Sequence, residues 1–273
     1  MKKKRWINRM KTLAALLIVA LHISPFYIMI NMSLKDLGDR SSRWMPALKP
    51  YFSNYVNAMR LGNLSRAITN TLLIVVLSVA IIVVAGAMAA YPLSRRVSRR
   101  NQIILAFVVG VMMVPQLSIL VPLYKEMVAL KGINKLWGIV VVSATFHLPM
   151  SIYMYTNFIK TIPKDLDEAA LIDGCSRLQA FFMIILPCLK STTVSVIILT
   201  GVGIWNDYQF QLYFLQKPAL RTITLAITTF FTDSKQDLGA AAAAAFIVVL
   251  LPITLYILLQ RYFVQGAMDS AVK

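Results

Sequence analysis

The chain has 273 residues, of which 58% are hydrophobic and only 14% charged, and its mean hydropathy is +0.69. A water-soluble domain carries close to a quarter charged residues, so one large soluble core is excluded. The formal net charge of +17 clusters at the ends of apolar blocks, in Lys2-Lys3-Lys4-Arg5 and in Arg95-Arg96 and Arg99-Arg100. That is where anionic headgroups and the positive-inside rule place cations, and no basic stripe interleaved with exposed aromatics argues for nucleic acid.

A bilayer core of about 30 Å needs about 20 helical residues to cross it. The apolar blocks have that length and predict an all-α polytopic membrane protein with six transmembrane helices, at 13–32, 68–91, 103–122, 137–158, 191–210 and 240–260. Polar or charged loops are expected at 34–67, 92–102, 123–136, 159–190 and 211–239. The reading divides the chain into a basic cytoplasmic N-terminus (1–12), one transmembrane domain (13–260) and a cytoplasmic tail (261–273). The first apolar run, Thr12 to Met32, is too long for a typical signal-peptide core and no small-residue cleavage site follows, so an uncleaved first helix is expected.

Pro25, Pro92, Pro115, Pro122, Pro149 and Pro252 fall within or at the ends of spans, where proline kinks rather than breaks a membrane helix. Small residues in the second span (Ala85-Gly86-Ala87, Ala89-Ala90) and the six alanines 240–245 predict close helix packing. With the N-terminus inside, the cytoplasmic segments hold six, four, four and two basic residues against six, three and three in the outer loops. The bias is modest, but the dense N-terminal cluster and the even number of spans favour both termini in the cytoplasm.

The segment 161–187 is the best specified between spans. Pro163 suits the first position of a helix, and Asp165, Asp167 and Glu168 suit its positive N-terminal end. Gly174 stands where a left-handed residue ends a helix, and Ser176 with Gln179 has the spacing of a capping box that opens the next. Helix, sharp glycine turn, helix is therefore expected, a surface element suited to docking.

This segment resembles the EAA loop of binding-protein-dependent ABC importer permeases, the MetI-like fold: Glu168-Ala169-Ala170, then Gly174, Ile184 and Leu186-Pro187, every spacing matching. The resemblance extends along nearly the whole chain and is similar to the carbohydrate-type branch. Its other marks are Asn70-Thr71, Ala90-Tyr91-Pro92-Leu93, Val114-Pro115, Val121-Pro122-Leu123-Tyr124, Trp205-Asn206-Asp207 and the tail from Gln260 to Lys273, which looks like that of the shorter permease in maltose and multiple-sugar importers. Ser270 stands where that tail usually has glycine, which implies altered tail contacts.

The resemblance implies a coupling helix between spans four and five that docks on a cytoplasmic ATP-binding subunit through Glu168, Ala169, Ala170, Asp173 and Gly174. It also implies a second, related permease chain in a heterodimer, an extracytoplasmic solute-binding protein delivering a sugar or oligosaccharide, and a place in the bacterial cytoplasmic membrane. No G-x-x-x-x-G-K-[ST] phosphate cradle is present, so ATP and magnesium are expected on the partner and no cofactor on this chain.

Intramembrane polar residues are candidates for the translocation path: Gln116, His147, Asn206 and Asp207 first, with His22, Ser118, Gln209 and Gln211 behind them. Each histidine has two readings, an interhelical hydrogen bond or a path lining. Trp205, Tyr208 and Tyr213 could supply aromatic faces to a sugar or form an interfacial belt. No catalytic triad or nucleophile elbow is visible, and Cys175 and Cys188 lack nearby histidines for a metal site, so a transport subunit rather than an enzyme is expected. The competing classes are a secondary transporter or channel working without an ATPase, for which matched halves are not seen, and a membrane scaffold, which leaves the 161–187 element unexplained.

Overall fold

A computed structural model describes residues 2–232 and 237–271, with side chains described for 6–231, 237–258 and 260. All regular structure among the described residues is helical. In chain order the α-helices are α1 (Lys2–Ser33), α2 (Ser53–Leu61), α3 (Leu64–Arg95), α4 (Arg99–Val111), α5 (Leu120–Ala129), α6 (Leu136–Ile159), α7 (Asp165–Ile172), α8 (Arg177–Ala180), α9 (Leu186–Cys188), α10 (Lys190–Trp205), α11 (Gln209–Phe214), α12 (Ile223–Thr232) and α13 (Leu238–Ala271). A π turn, Phe181–Ile185, joins α8 to α9, and a 3-10 turn, Gln116–Ile119, precedes α5.

Among the described residues four helices are long and apolar enough to cross a bilayer: Trp6–Ser33, α3, α6 and Leu238–Leu258. Two bent pairs raise the number to six if each is one span. Three of the six expected spans therefore need redrawing or extension. The third, expected straight over 103–122, is two helical pieces, Arg99–Val111 and Gln116–Ala129, bent by 93°. Pro115 has no N–H to continue the ladder and takes an extended backbone (ψ 125°), so the chain turns there. The fifth, expected over 191–210, stops at Trp205, restarts as α11 after positions 206–208, and is preceded by Arg177–Cys188 at a bend of 74°. The π turn and Pro187 lie just before that bend and account for it. The helix expected to begin at 13 already begins at Lys2. The loops expected at 34–67, 123–136 and 211–239 contain α2, most of α5, and α12. Short segments of this kind lie below the length at which hydropathy distinguishes helix from loop.

The chain forms two compact units, one of Met1–Ser65 and Ala226–Leu251, the other of Arg66–Leu225 and Pro252–Lys273. In the first, three polar side chains organise the stretch after α1. Asn31 Nδ2 donates to the carbonyls of Arg43 and Met45, and its Oδ1 accepts from Ala47 N–H. Asn54 Nδ2 donates to the carbonyls of Ser33 and Lys35. Lys35, one of the cations that make this loop basic, is buried, and its Nζ donates to Ser41 Oγ and the Ser42 carbonyl. Four of the alanines, Ala240, Ala241, Ala243 and Ala244, are buried, in keeping with close packing.

The second unit has a continuous core that includes Ile74, Ile82, Ile139, Tyr155, Ile185, Leu189 and Ile204. Helices α3 and α6 approach through small residues. Ser78 Oγ donates to the Val140 carbonyl and Ser151 Oγ to the Ile82 carbonyl, at 3.2 and 3.1 Å. A Cβ on Gly86 would lie 2.0 Å from Ser151 Oγ and 3.0 Å from its Cβ, so the crossing tolerates no side chain there. Tyr155 OH donates to Thr193 Oγ1 and joins α6 to α10. Large apolar side chains such as Leu16, Leu17, Leu21, Val76, Phe107 and Ile257 face outward, as a lipid-facing surface requires.

Gly86→Ala is expected to destabilise the detergent-purified protein by about 1–3 kcal/mol, the usual range for overpacking. Adding Ser151→Gly to the same chain is expected to recover most of the loss, read as the shift in Tm by intrinsic fluorescence.

Candidate functional site

Helix α7 carries the element singled out in the sequence. Its first turn holds Asp165, Asp167 and Glu168, where the backbone dipole favours negative charge. Lys164 is the N-cap, so Pro163 sits one residue outside the helix rather than at its first position. The C-terminal end is a Schellman motif: Cys175 N–H donates to the Ala170 carbonyl at 2.9 Å and Gly174 N–H to the Leu171 carbonyl at 3.2 Å. Gly174 has φ +85°, a conformation in which any side chain is strained. Ser176 Oγ then accepts from Gln179 N–H while Gln179 Oε1 accepts from Ser176 N–H, the reciprocal capping box expected at the start of α8.

Glu168, Ala169, Asp173 and Gly174 are exposed. So are Leu171 and Ile172, the latter at 85%. Ala170 is different: it is buried, at 2% exposure, so its small side chain serves packing within the chain and presents no surface to a partner.

Beneath α7 lies a polar anchor that sequence reading did not assemble. Arg95, the last residue of α3, places Nη2 2.7 Å from Asp167 Oδ2. Its Nη1 donates to the carbonyls of Ile159 and Ile162, at 3.1 and 2.8 Å. Tyr91 OH, one turn back on α3, donates to Asp167 Oδ1 at 2.5 Å. Met88, Arg96, Lys164, Glu168 and Phe181 join these groups around a cavity of about 540 Å³. Arg95 was visible in the sequence only as one of a cluster of basic residues, and its partner lies 72 positions away, beyond the reach of local pattern.

A second cavity, of about 430 Å³, lies where α6, the 3-10 turn at 116–119 and the break after α10 meet. Gln116, His147, Asn206 and Asp207 all line it, so the structure brings the four path candidates together. Tyr208, Gln209, Ser143 and Gly203 complete its polar and small lining. Phe146 and Phe210, which the sequence reading passed over, stack at 4.7 Å and supply its apolar wall. Trp205 is buried and Tyr213 is exposed; neither is among the lining residues.

The breaks in the helices create this cavity. Asn206 Nδ2 donates to the Val202 carbonyl, Asp207 Oδ1 accepts weakly from Phe210 N–H at 3.4 Å, and Thr224 Oγ1 holds the Asp207 carbonyl. Gln211 is fully buried; it receives the hydroxyls of Thr222 and Thr224 and fixes the turn from behind. His147 Nδ1 is bonded to the Ser143 carbonyl of its own helix at 2.9 Å, and its Nε2 lies where a Cβ on Gly203 would come within 2.8 Å. His22 likewise bonds the Ile18 carbonyl on its own helix, so the interhelical bonds considered for both histidines give way to intrahelical ones. Ser118 Oγ donates to the Pro115 carbonyl. The departure of Ser270 in the tail lies outside the residues whose side chains are described. No cluster of metal-ligating residues occurs among the described residues, and Cys175 and Cys188 are unbridged.

Broken, polar-lined helices within an apolar helical bundle, together with a capped surface helix between two spans, are the features of a multi-pass membrane transport subunit. Residues 82–268 match the family described as the binding-protein-dependent transport system inner membrane component, and the chain belongs to that family. It is 37% identical over 266 residues to the melibiose/raffinose/stachyose import permease protein MelC of Bacillus subtilis (strain 168), covering 97% of this chain and 96% of that one. It is 34% identical to the probable starch degradation products transport system permease protein AmyC of Thermoanaerobacterium thermosulfurigenes, over the whole of both chains. A crystal structure of a bacterial ABC transporter that imports the acidic polysaccharide alginate contains the same fold, with a TM-score of 0.83 at 17% identity over 96% of this chain and 98% of that one. The chain is thus a multi-pass membrane permease, a transport subunit and not an enzyme.

Gly203→Val drives a branched side chain toward His147 and into the 430 Å³ cavity. Overpacking beside His147 of about 1–3 kcal/mol is expected to lower transport about tenfold. Uptake by cells expressing the variant at wild-type level in the membrane fraction checks this outcome.

Proposed function

We propose that this chain is the membrane-spanning subunit of an ATP-driven sugar importer, that α7 docks on a cytoplasmic ATPase subunit, and that the cavity around His147 and Asp207 lies on the sugar's path. The observation that carries the proposal is the construction of α7. A helix of eight residues, closed by a Schellman motif at Gly174, presents Glu168, Leu171 and Ile172 outward. An apolar and acidic surface on so short and firmly terminated a helix is suited to a groove in a protein partner, not to lipid. Glu168 can pair with a partner cation while Leu171 and Ile172 fill an apolar recess.

In this reading both termini and α7 face the cytoplasm. ATP with magnesium is hydrolysed on the partner, and closure of two ATPase subunits pushes α7 so that the spans pass from inward-facing to outward-facing. A single such element per chain calls for two permease chains, the resemblance to the carbohydrate-type branch favours a related second chain in a heterodimer, and the family's dependence on binding proteins supports delivery of the solute from the outer face of the bacterial cytoplasmic membrane. The sugar assignment is supported by the names of the relatives, one an importer of melibiose, raffinose and stachyose and one of starch degradation products. The cavity has matching chemistry: the rings of Phe146, Phe210 and Tyr208 line it together with the side chains of Gln116, Asn206 and Asp207. Aromatic faces cover the apolar faces of a pyranose, and the polar groups serve its hydroxyls.

Purification in nanodiscs with the partner subunits is the test. The wild-type chain is expected to bring down a second permease and an ATPase subunit. Glu168→Lys, which reverses a docking charge, and Gly174→Trp, which strains the turn by about 1–2 kcal/mol, are expected to lose the ATPase while retaining the second permease. Sugar uptake by the wild-type chain in proteoliposomes without an ATPase would instead establish a secondary transporter or channel.

A further inference from the structure

The 161–187 element has short tethers: α7 is joined to α6 by positions 160–164 and to α8 by 173–176. A push on a helix held only by such links would be absorbed in part by its rotation. The polar anchor beneath it supplies a stiffer connection. One oxygen of Asp167 forms an ion pair with Arg95 Nη2 at 2.7 Å and the other accepts from Tyr91 OH at 2.5 Å, and both partners belong to the final turns of α3. The same guanidinium, through Nη1, holds the carbonyl of Ile159, the last residue of α6, and that of Ile162 in the link to α7. The Ile159 carbonyl also accepts from Ile162 N–H at 3.1 Å, so the guanidinium fastens a turn that the backbone has already closed. One arginine therefore ties α3, α6 and α7 at a single point. The pair is largely withdrawn from water, its side chains being 11% and 13% exposed. Breaking such a pair on one side leaves a charge without compensation, which makes the contact costly to open.

We propose that Arg95, Asp167 and Tyr91 form a clamp that makes α7 and the ends of α3 and α6 one mechanical body, so that Arg95 and Asp167 are positioning residues for coupling ATP hydrolysis to transport. The proposal rests on the docking role of α7 proposed above and adds where the stroke goes. It is delivered to α3 and α6, the two helices that cross through Gly86 and Ser151. Helix α6 also carries His147 into the 430 Å³ cavity. Asp167 is intermediate in exposure and pairs with Arg95, while Glu168 beside it is exposed at the edge of the same cavity, so the two neighbouring carboxylates have separate tasks.

The test uses the complete transporter with its partner permease, ATPase and binding protein in proteoliposomes. Co-purified ATPase, ATP turnover and substrate taken up per ATP are measured for Asp167→Asn, Arg95→Gln and the exchange Arg95→Asp with Asp167→Arg. The clamp predicts that the single variants keep the ATPase bound and hydrolysing, while uptake per ATP falls about tenfold, within the range typical of coupling between sites. The exchange is expected to restore part of the loss, as a direct pair interaction requires. Unchanged uptake per ATP in the single variants overturns the clamp, and so does loss of bound ATPase from Asp167→Asn alone, because that makes Asp167 a docking contact. If the single variants fail to assemble, Tyr91→Phe, which removes only one hydroxyl, decides: lower uptake per ATP supports the clamp and an unchanged ratio rejects it. Failure of the wild-type chain to bind any ATPase refutes the docking reading itself and is distinguishable from all of these.

Discussion

A backbone inside hydrocarbon has no water to bond, so each peptide group must find its partner within the protein. Everything else in this structure is arranged around that constraint. Where the chain is straight and apolar, as in α3 and α6, the helix satisfies itself and the side chains are free to pack or face lipid. Where the ladder is interrupted, nearby side chains bond the backbone around the break. Asn206 and Ser118 bond carbonyls within their own turns, Thr224 holds the Asp207 carbonyl, and buried Gln211 organises the hydroxyls around that break. The polar cavity lies at these interruptions because only there can polar side chains gather at low cost.

The same logic explains the anchor under α7. The chain leaving α6 turns through the bond from Ile162 N–H to the Ile159 carbonyl, and a guanidinium with several donors in one plane can reach the carbonyls of both residues while still meeting a carboxylate. Lysine in place of Arg95 could not span the three elements with the same geometry. A charge network that braces the turn after α6 thus also fastens a surface helix to two long ones. Structure and transmission are served by one contact.

The two features also divide labour between neighbouring residues. Along α7, Ala170 and Asp167 turn inward while Ala169, Glu168 and Ile172 turn outward. Along the fifth span, Trp205 is buried in the packing and Asn206 and Asp207 line the cavity. A motif written as consecutive letters is therefore shared between an inner and an outer surface, and substitutions at adjacent positions should have different consequences.

Several properties were determined by local chemistry and were legible from the sequence. Apolar runs of membrane length marked the long helices. Gly174 and the Ser176–Gln179 pair marked the end of α7 and the start of α8, because capping depends on residues three or four positions apart. Four path candidates were found one by one as polar residues in apolar surroundings. Tertiary structure alone decided the rest. The 93° and 74° bends depend on how much distortion the neighbours support, which proline content does not state, since Pro92 and Pro149 lie inside unbroken helices. The gathering of Gln116, His147, Asn206 and Asp207 around Phe146 and Phe210, and the meeting of Arg95 with Asp167, join positions far apart in the chain. Short-range propensity carries no information about such distant partners; packing of the helices brings them together.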